Sequence, residues 1–286
     1  MADVEEARLC LPPRPLRNPG RLQLPEGTCD CHLHVFSAGA PLANPRSYTP
    51  QMLGIEAWLA VAESFGIARG VMVQPSVYGL DNHVLLDALA AHSGRLRGVV
   101  VVDAAISDEA LDALDLSGIR GVRINLRNKA GIGLDTAEAL APRIRARGWH
   151  LQFQVGPDEI DSVAALAVRH DIGAVIDHFA FMPLDTPARA LASLQRALDD
   201  HRVHVKISAP YRLGGSAAPE RYAAVVGALA GSHPDSLLWG SDWPHTELFE
   251  TVPEEDDLVA LALDALPAAT HGRVFVENPA RLYWTR

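Results

Sequence analysis

Eight short runs rich in valine and isoleucine, separated by longer alanine- and leucine-rich runs, constrain this chain more than any other feature. They are CDCHLHVF from Cys29, RGVMVQPS from Arg69, LRGVVVVD from Leu96, IRGVRINL from Ile119, WHLQFQV from Trp149, GAVIDHF from Gly173, VHVKISA from Val203 and LLWGSDW from Leu237. The intervening stretches 55–65, 81–92, 136–147, 159–170, 187–199 and 219–230 carry apolar residues at helical three-to-four spacing. A shorter crossover spans 107–114, and 257–266 with 278–283 supplies closing helices. Strand–helix alternation of this kind builds parallel sheets. Eight units in one domain predict a single-domain (β/α)8 TIM barrel over residues 27–286. An open doubly wound sheet is the alternative, but no GxGxxG follows the first run. Residues 1–26 hold five prolines and little periodicity, and read as an extended N-terminal arm.

Composition narrows the function classes. The formal net charge is −10 and no basic stripe is visible, which argues against nucleic acid as a partner. No segment approaches the roughly 18 consecutive apolar residues of a membrane helix. The opening MADVEEARLC lacks a basic-then-apolar leader pattern, so a cytoplasmic location is the expectation. Three cysteines, Cys10, Cys29 and Cys31, do not make a disulfide framework, and the Cys-x-Cys pair reads as core packing. Whether the chain forms a homo-oligomer is open.

In a barrel the chemistry sits at the C-terminal ends of the strands. Every strand here turns polar at that end: His32 and His34; Gln74 and Ser76, then Tyr78; Asp103; Arg123, Asn125 and Arg127; Gln152 and Gln154; Asp177 and His178; Lys206 and Ser208, then Tyr211 and Arg212; Ser241, Asp242 and His245. Strand alternation puts Asp30, His32 and His34 on one face, and Cys29, Cys31, Leu33 and Val35 on the other. It sends only one of Asp177 and His178 inward; His178 is assigned to the site and Asp177 to the outer layer or a helix contact. Lys206 reads as a buried ion-pair partner, and Asp30 as a residue that orients a histidine. His92, His150, His170, His201 and His271 read as helix-end or surface residues.

Three imidazoles and a carboxylate, His32, His34, His178 and Asp242, form a ligand set for Zn2+. The same four can also work without metal, Asp242 activating water while imidazoles and cations polarise a carbonyl. Arg123 and Arg212 are candidates to hold substrate carboxylates through the guanidinium fork, and coming from different strands they could clamp a diacid. Ser76, Tyr78, Gln154, Tyr211 and His245 are further candidates for substrate contact.

CHLH on the first strand, DHF on the sixth and WGSDWPH on the eighth resemble the amidohydrolase superfamily, in its amidohydrolase-2 branch. The resemblance runs from Thr28 to Tyr283. That branch includes hydrolases of pyrone dicarboxylates and sulfomuconolactones and isomerases of galactarolactone. The resemblance implies a (β/α)8 fold, water attack on a carbonyl with Asp242 as general base, and substrate carboxylates held by arginines at Arg123 (GVR) and Arg212 (APYRL), with a further substrate-binding cation at Arg127 or Lys129. Two departures speak against a binuclear metal site: the fourth strand reads RINL where binuclear members carry a lysine, and the fifth reads QFQV where metal-dependent members carry a histidine.

The reading is therefore a hydrolase of a small anionic cyclic ester, a carboxylated lactone, with no cofactor favoured. The alternatives are a lactonase or amidohydrolase dependent on Zn2+ or another divalent metal, a sugar-acid lactone isomerase, and a non-catalytic acid-binding protein.

Overall fold

The computed structural model describes residues 7–185, 188–214 and 218–285. Eight parallel strands pair in chain order: β1 Cys29–Leu33, β2 Arg69–Val73, β3 Leu96–Val100, β4 Ile119–Asn125, β5 His150–Gln154, β6 Gly173–Ile176, β7 Val203–Lys206 and β8 Leu237–Leu238. The helices between and after them are α1 Ile55–Phe65, α2 His83–Ala91, α3 Asp108–Leu116, α4 Leu134–Arg145, α5 Ile160–His170, α6 Ala188–Leu198, α7 Pro219–Ser232 and α8 Glu255–Ala265. This is the expected (β/α)8 barrel. The third crossover is a full helix, its first turn capped by the Ser107 hydroxyl accepting from the Ala110 amide at 3.2 Å. The expected start of the sixth helix, Pro187, lies outside the described residues, as do residues 1–6 of the expected arm. Residues 8–20 are tied down by contacts to distant segments. The Cys10 and Leu11 amides donate to the Thr49 and Leu248 carbonyls at 2.8 and 2.9 Å, and the Gly20 amide to the Ser64 hydroxyl at 3.1 Å.

The inside of the barrel is identified by contact across it. Val71 on β2 and Val175 on β6 stand four strands apart, yet share one buried cluster with Cys29, Cys31, Val73, Val99, Leu238 and Tyr283. Only inward-facing side chains can do this. Leu33, Met72, Val100, Val122 and Ile124 instead join the layer packed under the helices.

The expected alternation along β1 does not hold. Asp30 pairs with Gly70 and Leu33 with Met72, so three steps on β1 match two on β2. This is a β-bulge, which inserts one residue and flips the facing of the residues beyond it. Cys29 and Cys31 point inward, and so do His32 and His34 past the bulge, while Asp30 points outward. There it accepts from the Trp58 indole N–H of α1 at 3.0 Å, the Ser241 hydroxyl and amide at 2.6 and 2.9 Å, and the His32 amide at 3.0 Å. It orients the backbone of β1 rather than an imidazole.

β8 is only two residues long, so closure depends on the chain beyond it. Cys31 N donates to Trp239 O at 3.0 Å, Asp242 N to His32 O at 2.9 Å and His34 N to Trp243 O at 2.8 Å. Asp30 clasps this seam through Ser241. Each buried donor left without a partner costs ~1–3 kcal/mol. Asp30→Ala orphans several at once and is expected to lower unfolding free energy by about 3 kcal/mol or more in urea titration, with Asp30→Asn intermediate; a loss under about 1 kcal/mol for the alanine variant would refute the clasp.

Candidate active site

The C-terminal ends of the strands converge on a small buried chamber. Its walls are His34, Tyr48, Ser76, Arg123, Gln154, His178, Arg212 and Asp242, with Asn128, Thr246 and Glu247 at the mouth. About 10 Å³ of free space remains inside, room for one water. Beyond the mouth lies a vestibule of about 310 Å³ lined by Arg127, Phe181 and Leu248, together with Asn128, Gln154, Arg212 and Glu247.

At the centre stands Asp242. Its Oδ1 lies 3.6 Å from His32 Nε2, 3.9 Å from His34 Nε2 and 3.6 Å from His178 Nε2, and accepts no hydrogen bond. Oδ2, by contrast, is held by the Tyr211 hydroxyl at 2.5 Å and by Arg212 Nε at 2.9 Å. One oxygen is anchored and the other is free. Asp242 and His178 both have left-handed backbone, with φ of +61° and +49°. Such conformations are costly for residues with a Cβ, and persist where surrounding structure enforces them.

The hydrogen bonds fix where the imidazole protons lie. Lys206 Nζ, 3.2 Å from Asp177 Oδ1, is an ammonium with only donors to offer, so His32 Nδ1 at 3.1 Å accepts from it. The proton of neutral His32 then sits on Nε2 and donates to His34 Nε2 at 3.3 Å. His34 in turn donates from Nδ1 to the Val73 carbonyl at 2.7 Å. All members of this relay point one way.

Asp177 joins the same cluster, against expectation. It is fully buried, 3.3 Å from His32 Nδ1, and accepts from Gln152 Nε2 at 3.1 Å. β6 ends at Ile176, and His178, Phe179 and Ala180 have positive φ, so alternation stops before Asp177 and both neighbours reach the interior. His178 Nδ1 lies 2.8 Å from the Ser208 hydroxyl. The expected Lys206 ion pair is present. His150 is a further correction: it is a buried β5 residue inside the barrel, its ring 5.2 Å from that of Tyr283. Gly121 on β4 makes room for it, since a Cβ there would stand 2.8 Å from the imidazole.

The arginines divide into three roles. Arg212 is committed to the protein, through Asp242, the Thr246 carbonyl at 2.9 Å and Glu247 at 3.4 Å, so it positions Asp242 more than it clamps a ligand. Arg123 donates to the Gln74 carbonyl at 2.9 Å and to Gln154, while its Nε is buried without a partner. Arg127 stands over the Phe181 ring at 4.0 Å in the vestibule. Ser76 and Gln154 line the chamber as expected. Tyr78 does not: its hydroxyl accepts from the Ser37 amide at 2.9 Å and its ring packs near Phe36. His245 lies behind Asp242, 3.2 Å from the Tyr211 hydroxyl and 2.7 Å from Glu255. Tyr48, Asn128, Thr246 and Glu247 were not legible, since they sit on loops whose paths strand periodicity does not give. The one available signal was Glu247, five residues after Asp242.

Electrostatics follow from burial. Desolvation pushes His34 down to about 3, aided by Arg123, and His178 down to about 4. His32 falls well below its ordinary value, by burial and then the Lys206 charge. Burial pushes the Asp242 carboxyl up, but Arg212 and the surrounding imidazoles overcome this and hold it well below the usual carboxylate range. The site at neutral pH is a carboxylate among neutral imidazoles.

The donor set also fits one metal ion. Tetrahedral zinc with arms of ~2.0–2.1 Å separates its ligand atoms by about 3.4 Å. His32 Nε2 and His34 Nε2 stand 3.3 Å apart, with Asp242 Oδ1 slightly beyond that spacing. A second group, His32, Asp177 and His178, is also close enough together, but the Lys206 ammonium already neutralises Asp177.

These buried imidazoles make stability pH-dependent. Unfolded histidines titrate near 6.5, whereas folded His34 and His150 resist protonation down to about 3, and His178 and His204 down to about 4. As pH falls below about 6.5 the unfolded chain binds more protons, so stability is full above that pH and lost progressively between about 6.5 and about 3. Asp30, raised by burial to about 6, acts in the opposite direction as a single group. The melting temperature is expected to drop by about 10 °C or more between pH 7.5 and pH 5; a change below about 2 °C would contradict neutral buried imidazoles.

The chain is 34% identical over 288 residues to 4-sulfomuconolactone hydrolase of Rhizobium radiobacter, covering 96% of this chain and 95% of that one. It is 31% identical over 286 residues to 2-pyrone-4,6-dicarboxylate hydrolase of Comamonas testosteroni, covering 93% and 94%. A solved structure from Pseudomonas putida superposes with a TM-score of 0.79 at 30% identity, covering 90% of this chain and 97% of that one. Residues 29–284 match the family model described as Amidohydrolase, and the chain belongs to that family.

Proposed function

We propose that this chain is a hydrolase of small anionic lactones in which Asp242 is the general base. The observation that carries the reading is the asymmetry of that carboxylate: Oδ2 is fixed by Tyr211 and Arg212, while Oδ1 is bare, buried and faces three imidazole nitrogens. A water at Oδ1 gives up its proton there and its oxygen attacks the ester carbonyl. Arg123 and His178, on the chamber wall, stabilise the developing oxyanion. The ring C–O bond then breaks and the leaving oxygen takes the proton back from Asp242, giving a hydroxy acid. Because Arg212 holds Asp242 at a low pKa, the carboxylate is ready as a base throughout the neutral range, and its conjugate acid returns the proton readily. Arg127 stands where an incoming anionic group first meets the protein. The names of two relatives, 4-sulfomuconolactone hydrolase and 2-pyrone-4,6-dicarboxylate hydrolase, support this reading.

If a divalent metal is bound, His34, His178, His32 and Asp242 would hold it, and it would supply Lewis-acid polarisation of the carbonyl. For that His32 must surrender the Nε2 proton that Lys206 places there, and the ion would occupy a site where Lys206 and Arg212 already balance Asp177 and Asp242. Both points favour a site that works with its own residues. Asp242→Asn is expected to lower kcat by ~10²–10⁴ with the fold unchanged, turnover in labelled water to put oxygen-18 into the product carboxylate, and exhaustive chelation to leave activity within twofold. Retained activity in the asparagine variant refutes the base assignment; an unlabelled product refutes hydrolysis; chelator-dependent loss restored by zinc replaces the metal-free arrangement.

A further inference from the structure

Glu247 closes the mouth of the chamber. Its carboxylate accepts from the Asn128 side-chain amide and pairs with Arg212 Nη1 at 3.4 Å, so it bridges the loop after β4 to the loop after β7. The chamber inside has room for one water only, and Asn128 and Glu247 line both it and the vestibule, so their bond stands where a lactone ring would enter. Glu247 has a left-handed backbone, φ +62°, and remains partly exposed toward the vestibule. The guanidinium groups lining chamber and vestibule are Arg123, Arg127 and Arg212, and the carboxylates are Asp242 and Glu247. With neutral imidazoles, three cations against two anions leave one positive charge for the ligand.

We infer that Glu247 is a specificity-determining residue that restricts the site to lactones with a single anionic group, the opposite end of the substrate presenting a hydroxyl to the Glu247 carboxylate. This deepens the lactone-hydrolase reading and rests on it. A second carboxylate or sulfonate near Glu247 would face like charge in a partly desolvated mouth, which is strongly unfavourable. A hydroxyl, by contrast, replaces the donor that Glu247 loses when Asn128 lets go, so the carboxylate keeps its second partner in the partly desolvated mouth. Arg212 cannot rescue the second anion, because its donors already serve Asp242, Thr246 and Glu247.

The test separates binding from turnover, so that it does not depend on which lactone is hydrolysed. Calorimetry with furan-2-carboxylate, 5-hydroxymethylfuran-2-carboxylate and furan-2,5-dicarboxylate, on wild type and Glu247→Gln, compares a monoanion, a hydroxylated monoanion and a dianion on one ring. Wild type is expected to bind the hydroxylated monoacid at least tenfold more tightly than the diacid, and Glu247→Gln to shift that ratio at least tenfold toward the diacid. A wild-type preference for the diacid, or a ratio that moves less than twofold in a variant folded by circular dichroism, overturns the inference. Failure of every lactone to be hydrolysed by wild type would overturn the proposed function instead, and leaves the binding ratios to be read on their own.

Discussion

The site depends on how the barrel closes. β8 has too few paired residues to hold the seam by itself, and Asp30 takes over this work from outside the sheet. By accepting from both the His32 and Ser241 amides, one carboxylate fixes the register of the first strand against the last. The β-bulge is part of the same device. It lets Asp30 face the helices while His32, two residues on, faces the interior. The same seam carries Asp242 N to His32 O, so Asp242 and the first imidazole are placed by backbone bonds before any side chain contact is made.

Burying Asp177, Asp242, Lys206, Arg123 and Arg212 together is expensive unless each charge finds a partner. Lys206 answers Asp177 and Arg212 answers Asp242. These pairs set polarity as well as offsetting desolvation. Lys206 dictates the tautomer of His32, which dictates that of His34, and the Val73 carbonyl ends the relay. Sequence position alone would give three interchangeable imidazoles; the ion pair beneath them gives each a distinct role.

Much of this was legible in the sequence because the barrel puts polar residues at one end of apolar strands. His32, His34, His178, Arg123, Gln154 and Asp242 were found that way, and the chamber contains or borders on all of them. What failed was strict period-two counting where the strand geometry changes. Asp30 was placed on the wrong face because a bulge is invisible in residue types, and Asp177 because the backbone turns left-handed after Ile176. His150 was read as peripheral because its neighbours hid the role of Gly121, whose missing side chain makes room for the ring. The mouth was illegible for a different reason. Tyr48, Asn128 and Glu247 come from loops after three different strands, and their meeting is a property of the closed barrel.

The division between interior and mouth has a functional consequence. Inside, each charged group has a fixed protein partner, so the machinery around Asp242 is preorganised and has little freedom to respond to different ligands. At the mouth, Asn128, Glu247 and Arg127 are partly or fully exposed, and a single hydrogen bond joins Asn128 to Glu247. A change at position 247 would therefore alter the charge an arriving acid meets while leaving Oδ1 of Asp242 and its three imidazoles in place. In the proposed chemistry, selectivity belongs to the partly exposed mouth and bond cleavage to the partnered interior.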